Sequence, residues 1–121
     1  MPNVSERTVY CTTRFAATHY YEGAPGSQAH LRHPHRHEFL VVVSVRVDHD
    51  DRDVEFLDLK ERVDDHLDRL VHEEGRGGSI GERSCEHVCE WLAKQLTSDG
   101  HSVRSVDVSE DGENGARVLF E

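Results

Sequence analysis

Polar and apolar residues alternate from Thr8 to His19, in "TVYCTTRFAATH", where β-branched and aromatic side chains run without a helix-start signal. A period of two places Cys11, Thr13, Phe15, Ala17 and His19 on one face of a strand. "YEGAPGSQ" comes next as a loop, its Gly and Pro residues breaking the pattern. The next run, "HEFLVVVSVRVD", is the strongest strand signal in the chain, with Phe39, Val41, Val43, Val45 and Val47 making an apolar face. It ends in the Asp-rich turn "DHDDRDVE". The spacing then changes: Phe56, Leu59, Val63, Leu67 and Leu70 recur with helical period and predict an amphipathic helix from Val54 to about His72. "EEGRGGSIGE" ends it. Ser84 caps a second predicted helix that carries Val88, Trp91, Leu92 and Leu96 and stops near "SDGH". Two short strands, "SVRSVDVSE" and "ARVLFE", close the chain, joined by "DGENG", whose Asp-Gly and Asn-Gly pairs favour a tight reversal.

The order strand, strand, helix, helix, strand, strand is an α+β pattern. It predicts a four-stranded antiparallel sheet with two helices on one face. At 121 residues the chain fits a single domain, 1–121, with no internal repeat. Four strands leave two exposed edges, which proteins commonly close by pairing with another subunit, so a homo-oligomer is expected.

Charge narrows the partners. The formal net charge is −10 with histidines neutral, so most of the surface repels nucleic acid. The longest apolar run, Phe39 to Val43, is far below the roughly 20 residues of a membrane helix, and no export signal opens the chain. The expectation is a cytoplasmic protein with no membrane partner. Its cations are almost all Arg, with Lys only at Lys60 and Lys94. Together with the acid runs this fits a surface adapted to high salt, against the plainer reading of an ordinary acidic cytosolic protein. Cys11, Cys85 and Cys89 are an odd number of thiols and argue against a disulfide framework. Cys85 and Cys89 share a helix face and read as small buried hydrophobes rather than ligands, because C-x-x-x-C alone lacks the usual zinc spacing.

The candidate chemistry lies in "HLRHPHRHEF", with four histidines in ten residues. On a strand, H-x-H puts both rings on one side, so His35 and His37 face the same way, in register with Phe39 and Val41. If the first two strands form a long-looped hairpin, His19 ends the inward face of the neighbouring strand and supplies a third imidazole. Three His on adjacent strands leave one tetrahedral position open, the arrangement of a catalytic zinc. His33 has the same parity but precedes Pro34, which makes it a supporting or catalytic candidate. Two other readings compete: solvated loop imidazoles, and a cupin-like metal site. A cupin needs many more strands than this chain has, and here two helices come after the H-x-H strand.

The series "RFAATH", "PHRHEF" opening a long strand, "VEFLDLK", "SCEHVCEWLAKQL" and "VSEDGENGARV" resembles the 6-pyruvoyl-tetrahydropterin and 6-carboxytetrahydropterin synthase family over nearly the whole chain. The family pattern has F-x-A-x-H, H-G-H-x-Y/F, G-x-V-x-D-F-x-x-L-K, T-x-E-N-L-A and V-x-V-x-E-T in this order. The resemblance implies the tunnelling fold, assembled as a trimer or a dimer of trimers with active sites between subunits. It implies zinc on His19, His35 and His37, and a small-molecule pterin substrate anchored by Glu110, whose carboxylate accepts hydrogen bonds from the ring edge. Ser84, Cys85 and Glu86 match the helix-start segment lining the same pocket.

The departures concern proton transfer. Where the pattern has a general-base Cys four residues before H-x-H, this chain has Leu31. Where an Asp-His pair ends the first helix, it has Val71 and His72. His72 keeps its place without either partner, and His33 or His30 is left as a base near the metal. Arg36 also replaces the Gly between the two strand ligands. The implied function is a zinc-dependent lyase acting on a dihydropterin-type substrate with a non-standard base. The alternative is a non-catalytic homologue that keeps the metal and pterin pocket for binding or assembly.

Overall fold

The computed structural model describes residues 1–72 and 77–121. Its elements are strands β1 (Arg7–His19) and β2 (His35–Val47), helices α1 (Phe56–His72) and α2 (Cys85–Ser98), and strands β3 (Val103–Glu110) and β4 (Asn114–Leu119). A short 3₁₀ stretch, Gly26–Arg32, interrupted at Gln28, crosses the loop between β1 and β2. The four-stranded sheet is antiparallel throughout, as the order of elements predicts, and its strand order is β1-β2-β3-β4.

The long hairpin β1–β2 runs in unbroken register from Arg7↔Val47 to His19↔His35. That register brings the end of β1 beside the start of β2. Pro34 lies just outside β2, where its missing N–H costs the ladder nothing.

Both helices cover one face, α1 over β1 and α2 over β3 and β4. Phe39, Val41, Val43 and Val45 of β2 and Val106 and Val108 of β3 are buried against Leu59, Val63, Leu67 and Leu70 of α1 and Val88, Leu92 and Leu96 of α2. Each such side chain contributes roughly 1.5–3 kcal/mol by leaving water. The apolar stripe of α1 differs from the predicted one at two places. Phe56, the first residue of the helix, is exposed, and His66 is buried in the stripe. His66 tolerates this position because Nε2 meets the Asp99 carboxylate at 2.6 Å, at the C-terminal cap of α2, and its ring lies edge-on to Trp91.

Element boundaries shift by one or two residues. Helix α1 begins at Phe56 rather than Val54, β2 already includes His35, and β4 begins at Asn114 rather than Ala116. The turn between β3 and β4 is therefore only 111–113, with Asp111 at φ 55° and Gly112 at φ 74°. The helix stop read at "EEGRGGSIGE" falls partly on residues 73–76, outside the described residues. The segment just beyond them bears on the site. Ile80 N–H donates to the Thr18 carbonyl and Tyr20 N–H to that of Gly81, so 78–81 runs along the end of β1. No described helix is long and apolar enough to cross a membrane.

Candidate metal centre and cavity

Because β1 ends where β2 begins, His19 and His35 are direct cross-strand partners, and His37 stands two residues further along β2 on the same face. One nitrogen from each of His19, His35 and His37 lies within 4.8 Å of the others. The rings stand edge to face, 4.5, 5.3 and 5.1 Å apart.

The outward nitrogens show which atoms face inward. His19 Nδ1 lies 3.3 Å from the Arg83 carbonyl, and His35 Nδ1 lies 2.9 Å from the His33 carbonyl. His37 Nδ1 is 2.6 Å from the Asp111 carboxylate. Carbonyl and carboxylate oxygens only accept, so each Nδ1 carries the proton and each neutral ring keeps its lone pair on Nε2. This is how metal-binding histidines are oriented. His19 Nε2 is buried with no hydrogen-bond partner among the described residues.

Glu110, paired with Phe39 at the end of β3, sets its carboxylate 3.4 Å from both His19 Nε2 and His37 Nε2. An ion pair with His19 would require a protonated ring. Burial lowers the pKa of His19 and outweighs the raising effects of the Arg83 carbonyl and Glu110. Two lone pairs and a carboxylate turned toward one another repel unless a cation or a proton lies among them, and three imidazole nitrogens this close together fit a divalent metal. Asp111 is held ionised below its usual range by the Glu38 N–H and then by His37. Its left-handed backbone, which Asp tolerates, brings both of these within reach.

Beside the cluster opens a cavity of about 550 Å³. Its wall includes His19, His35, Glu110, Ser84, Cys85 and Glu86, bringing together most of the residues singled out from sequence. Leu31 also lines it. Burial pushes the Cys85 thiol up to about 11, with Glu110 and Glu86 adding to the rise, so the thiol is protonated at neutral pH. Cys11 and Cys89 are likewise buried and free.

His33 is exposed and outside this wall, and serves the cluster through its carbonyl. His30 is also exposed. His72 is exposed at the end of α1, 3.6 Å from Asp68, and lines a separate depression with Thr13, Asp64 and Asp68. Val71 is buried in the core.

Three contributors were not singled out from sequence. The Arg83 carbonyl carries no side-chain signal. Asp111 was read only as part of a turn, although an Asp beside a Gly next to a candidate site is also a carboxylate at the tip of a hairpin. His87, on the cavity wall, sits three residues after the cap Ser84, a spacing that marks a capping box.

A model of the family described as 6-pyruvoyl tetrahydropterin synthase matches residues 8–119. Among curated proteins compared by sequence, none matches. Among solved structures, the chain is similar to an uncharacterized protein, WS1659, from Wolinella succinogenes, with 17% identity, TM-score 0.72 and coverage of 98% of this chain and 100% of the other. It is similar to 6-pyruvoyl tetrahydropterin synthase from Caenorhabditis elegans, with 16% identity, TM-score 0.70 and full coverage of both chains. The enzyme of that name from Plasmodium falciparum gives 18% identity and TM-score 0.68 over 97% of this chain and 99% of the other. At these identities the structural likenesses establish the α+β tunnelling fold. The family match runs from β1 to the end of β4, and by it the chain belongs to the 6-pyruvoyl tetrahydropterin synthase family.

Proposed function

We propose that the protein is a zinc-dependent lyase acting on the side chain of a dihydropterin-type substrate. The observation that carries this reading is the convergence of three imidazole nitrogens beside a cavity that also holds the Glu110 carboxylate. His19, His35 and His37 would hold the metal, and their outward hydrogen bonds fix the donor atoms in advance. Bound there, zinc supplies Lewis-acid polarisation of a substrate oxygen. Glu110 accepts hydrogen bonds from the N–H and amino edge of the ring, and Ser84, Cys85 and Glu86 form the adjacent wall. The protonated Cys85 thiol packs against the ligand and is not a base in this scheme. His33 and His72 are the proton carriers of this reading. Both are exposed; His33 lies outside the cavity wall, beside His35, and His72 meets a cavity only if a second subunit brings one to the end of α1.

The test is metal content and turnover. Zinc should co-purify with the wild type and be lost in His35→Ala, and dihydroneopterin triphosphate should be consumed only by the metal-loaded protein. A metal-free wild type that cannot be loaded would refute the proposal.

A second reading is favoured by Leu31 on the cavity wall and Val71 in the core, where the family pattern has Cys and Asp. Apolar side chains cannot move a proton. On this reading the protein is a pterin-binding or assembly homologue, and the same assay would show saturable binding with no product.

A further inference from the structure

The first turn of α2 carries an imidazole of opposite polarity to those of the cluster. His87 N–H donates to Ser84 Oγ at 3.2 Å, and Ser84 N–H donates back to His87 Nδ1 at 3.3 Å. The Ser84 hydroxyl also lies 3.1 Å from that nitrogen. This is a capping box in which His stands where Glu or Gln is usual. A backbone N–H can only donate, so Nδ1 holds the lone pair and the proton of the neutral ring sits on Nε2. Nε2 of His87 has no hydrogen-bond partner among the described residues.

Three imidazoles line the cavity: His19, His35 and His87. The first two turn a lone pair inward, and His87 alone has its N–H on Nε2. Carboxylates of Glu82, Glu86 and Glu110 share the wall. Arg83, whose Nη1 is engaged by the Ile80 carbonyl, and Tyr20, Tyr21 and Asn114 are other donors on the wall, and none of them is an imidazole held by a capping box. The capping box holds the His87 ring in place before any ligand arrives. His87 is exposed at the rim of the cavity, so an incoming ligand can reach its ring. A fixed N–H is most effective on an oxygen that gains negative charge during reaction.

We infer that His87 is an electrophile of this cavity, donating its Nε2–H to a keto or enolate oxygen on the side chain of the bound substrate. The inference rests on the pterin-lyase reading and adds a catalytic residue to it. It involves no proton transfer, since the ring holds the oxygen by a hydrogen bond and keeps its proton. The family's T-x-E-N helix start has Asn at this place, so the imidazole is a feature of this chain rather than of the pattern it resembles.

The test compares His87→Gln with His87→Glu in the full, metal-loaded chain, using dihydroneopterin triphosphate. Both side chains keep an oxygen for the Ser84 N–H, but only Gln also offers an N–H to the ligand. The Gln variant should retain kcat within about tenfold of wild type, while Glu lowers kcat by about 10²- to 10³-fold with a smaller change in KM and an unchanged melting temperature. Equal kcat values in the two variants would overturn the inference and leave the pterin reading standing. A wild type that neither binds nor turns over the compound would overturn both. Nitrogen-15 spectra of the histidine rings provide a readout independent of activity and of variant folding. The Nε2–H tautomer at His87 is expected in the wild type, and the Nδ1–H tautomer there would refute the inference.

Discussion

An imidazole has two nitrogens, and at His19, His35 and His37 the hydrogen bond made by one decides what the other can do. Two of the three outer partners are main-chain carbonyls, which no side-chain substitution removes. The third is the Asp111 carboxylate, and it can be tested. Asp111→Asn suits the left-handed backbone at φ 55° and keeps one accepting oxygen, but it loses the second oxygen and the charge. One of its two present contacts, to the Glu38 N–H or to His37, must therefore weaken. Metal affinity should fall by about tenfold, the lower end of what loss of such outer partners costs, with the fold intact. Chelator competition measures it, and an unchanged affinity would show that His37 needs no outer partner. At this scale the shared side of His35 and His37 was legible, because H-x-H and a period of two place them on one face. The outer partners of the three rings were not, because they come from residues 33, 83 and 111, and no local pattern records which carbonyl or turn will arrive beside a ring.

Among the elements, the β3–β4 hairpin holds Glu110 in the cavity. Its register pairs Ser109 with Gly115 and Glu110 with Asn114. A Cβ at Gly115 would collide with the Val108 carbonyl and with Ser109, both of them fixed by the sheet. Gly115→Ala should therefore cost about 1–3 kcal/mol by overpacking and shift β4 against β3. Urea unfolding reads the stability, and ligand titration should show weaker binding, because Asn114 and Gly115 line the cavity with Glu110. Wild-type stability and binding in this variant would show that β4 can move away without disturbing the site. The elements were read from sequence nearly to their ends. Periodicity finds an element whose apolar face is regular, and it slips at Phe56, His66 and Asn114, where position relative to the sheet or a partner across two helices overrides it.

For the whole molecule, the open sheet makes the strongest demand. β1 and β4 are its edges, and Tyr10 on β1 and Leu119 on β4 leave large apolar side chains exposed. Segment 78–81 covers only the end of β1, beside His19. Pairing between subunits would satisfy the remaining edge groups and bury these side chains. Sedimentation at micromolar concentration is expected to give the mass of a trimer or a dimer of trimers. A monomer there would mean that the edges stay open, and with them the route by which His72 could reach a neighbouring cavity.

The order of strands and helices, the apolar face of β2, the cap at Ser84 and the shared side of His35 and His37 come from local rules. Side-chain period and turn chemistry act over a few residues and are written in the chain. That His19 meets His35, that Glu110 faces two of the imidazoles, and that His87 has its proton on Nε2 were decided only when distant segments packed together. Register, burial and hydrogen-bond partners across tens of residues are properties of the assembled sheet, and they determine which nitrogen of each ring is left to do chemistry.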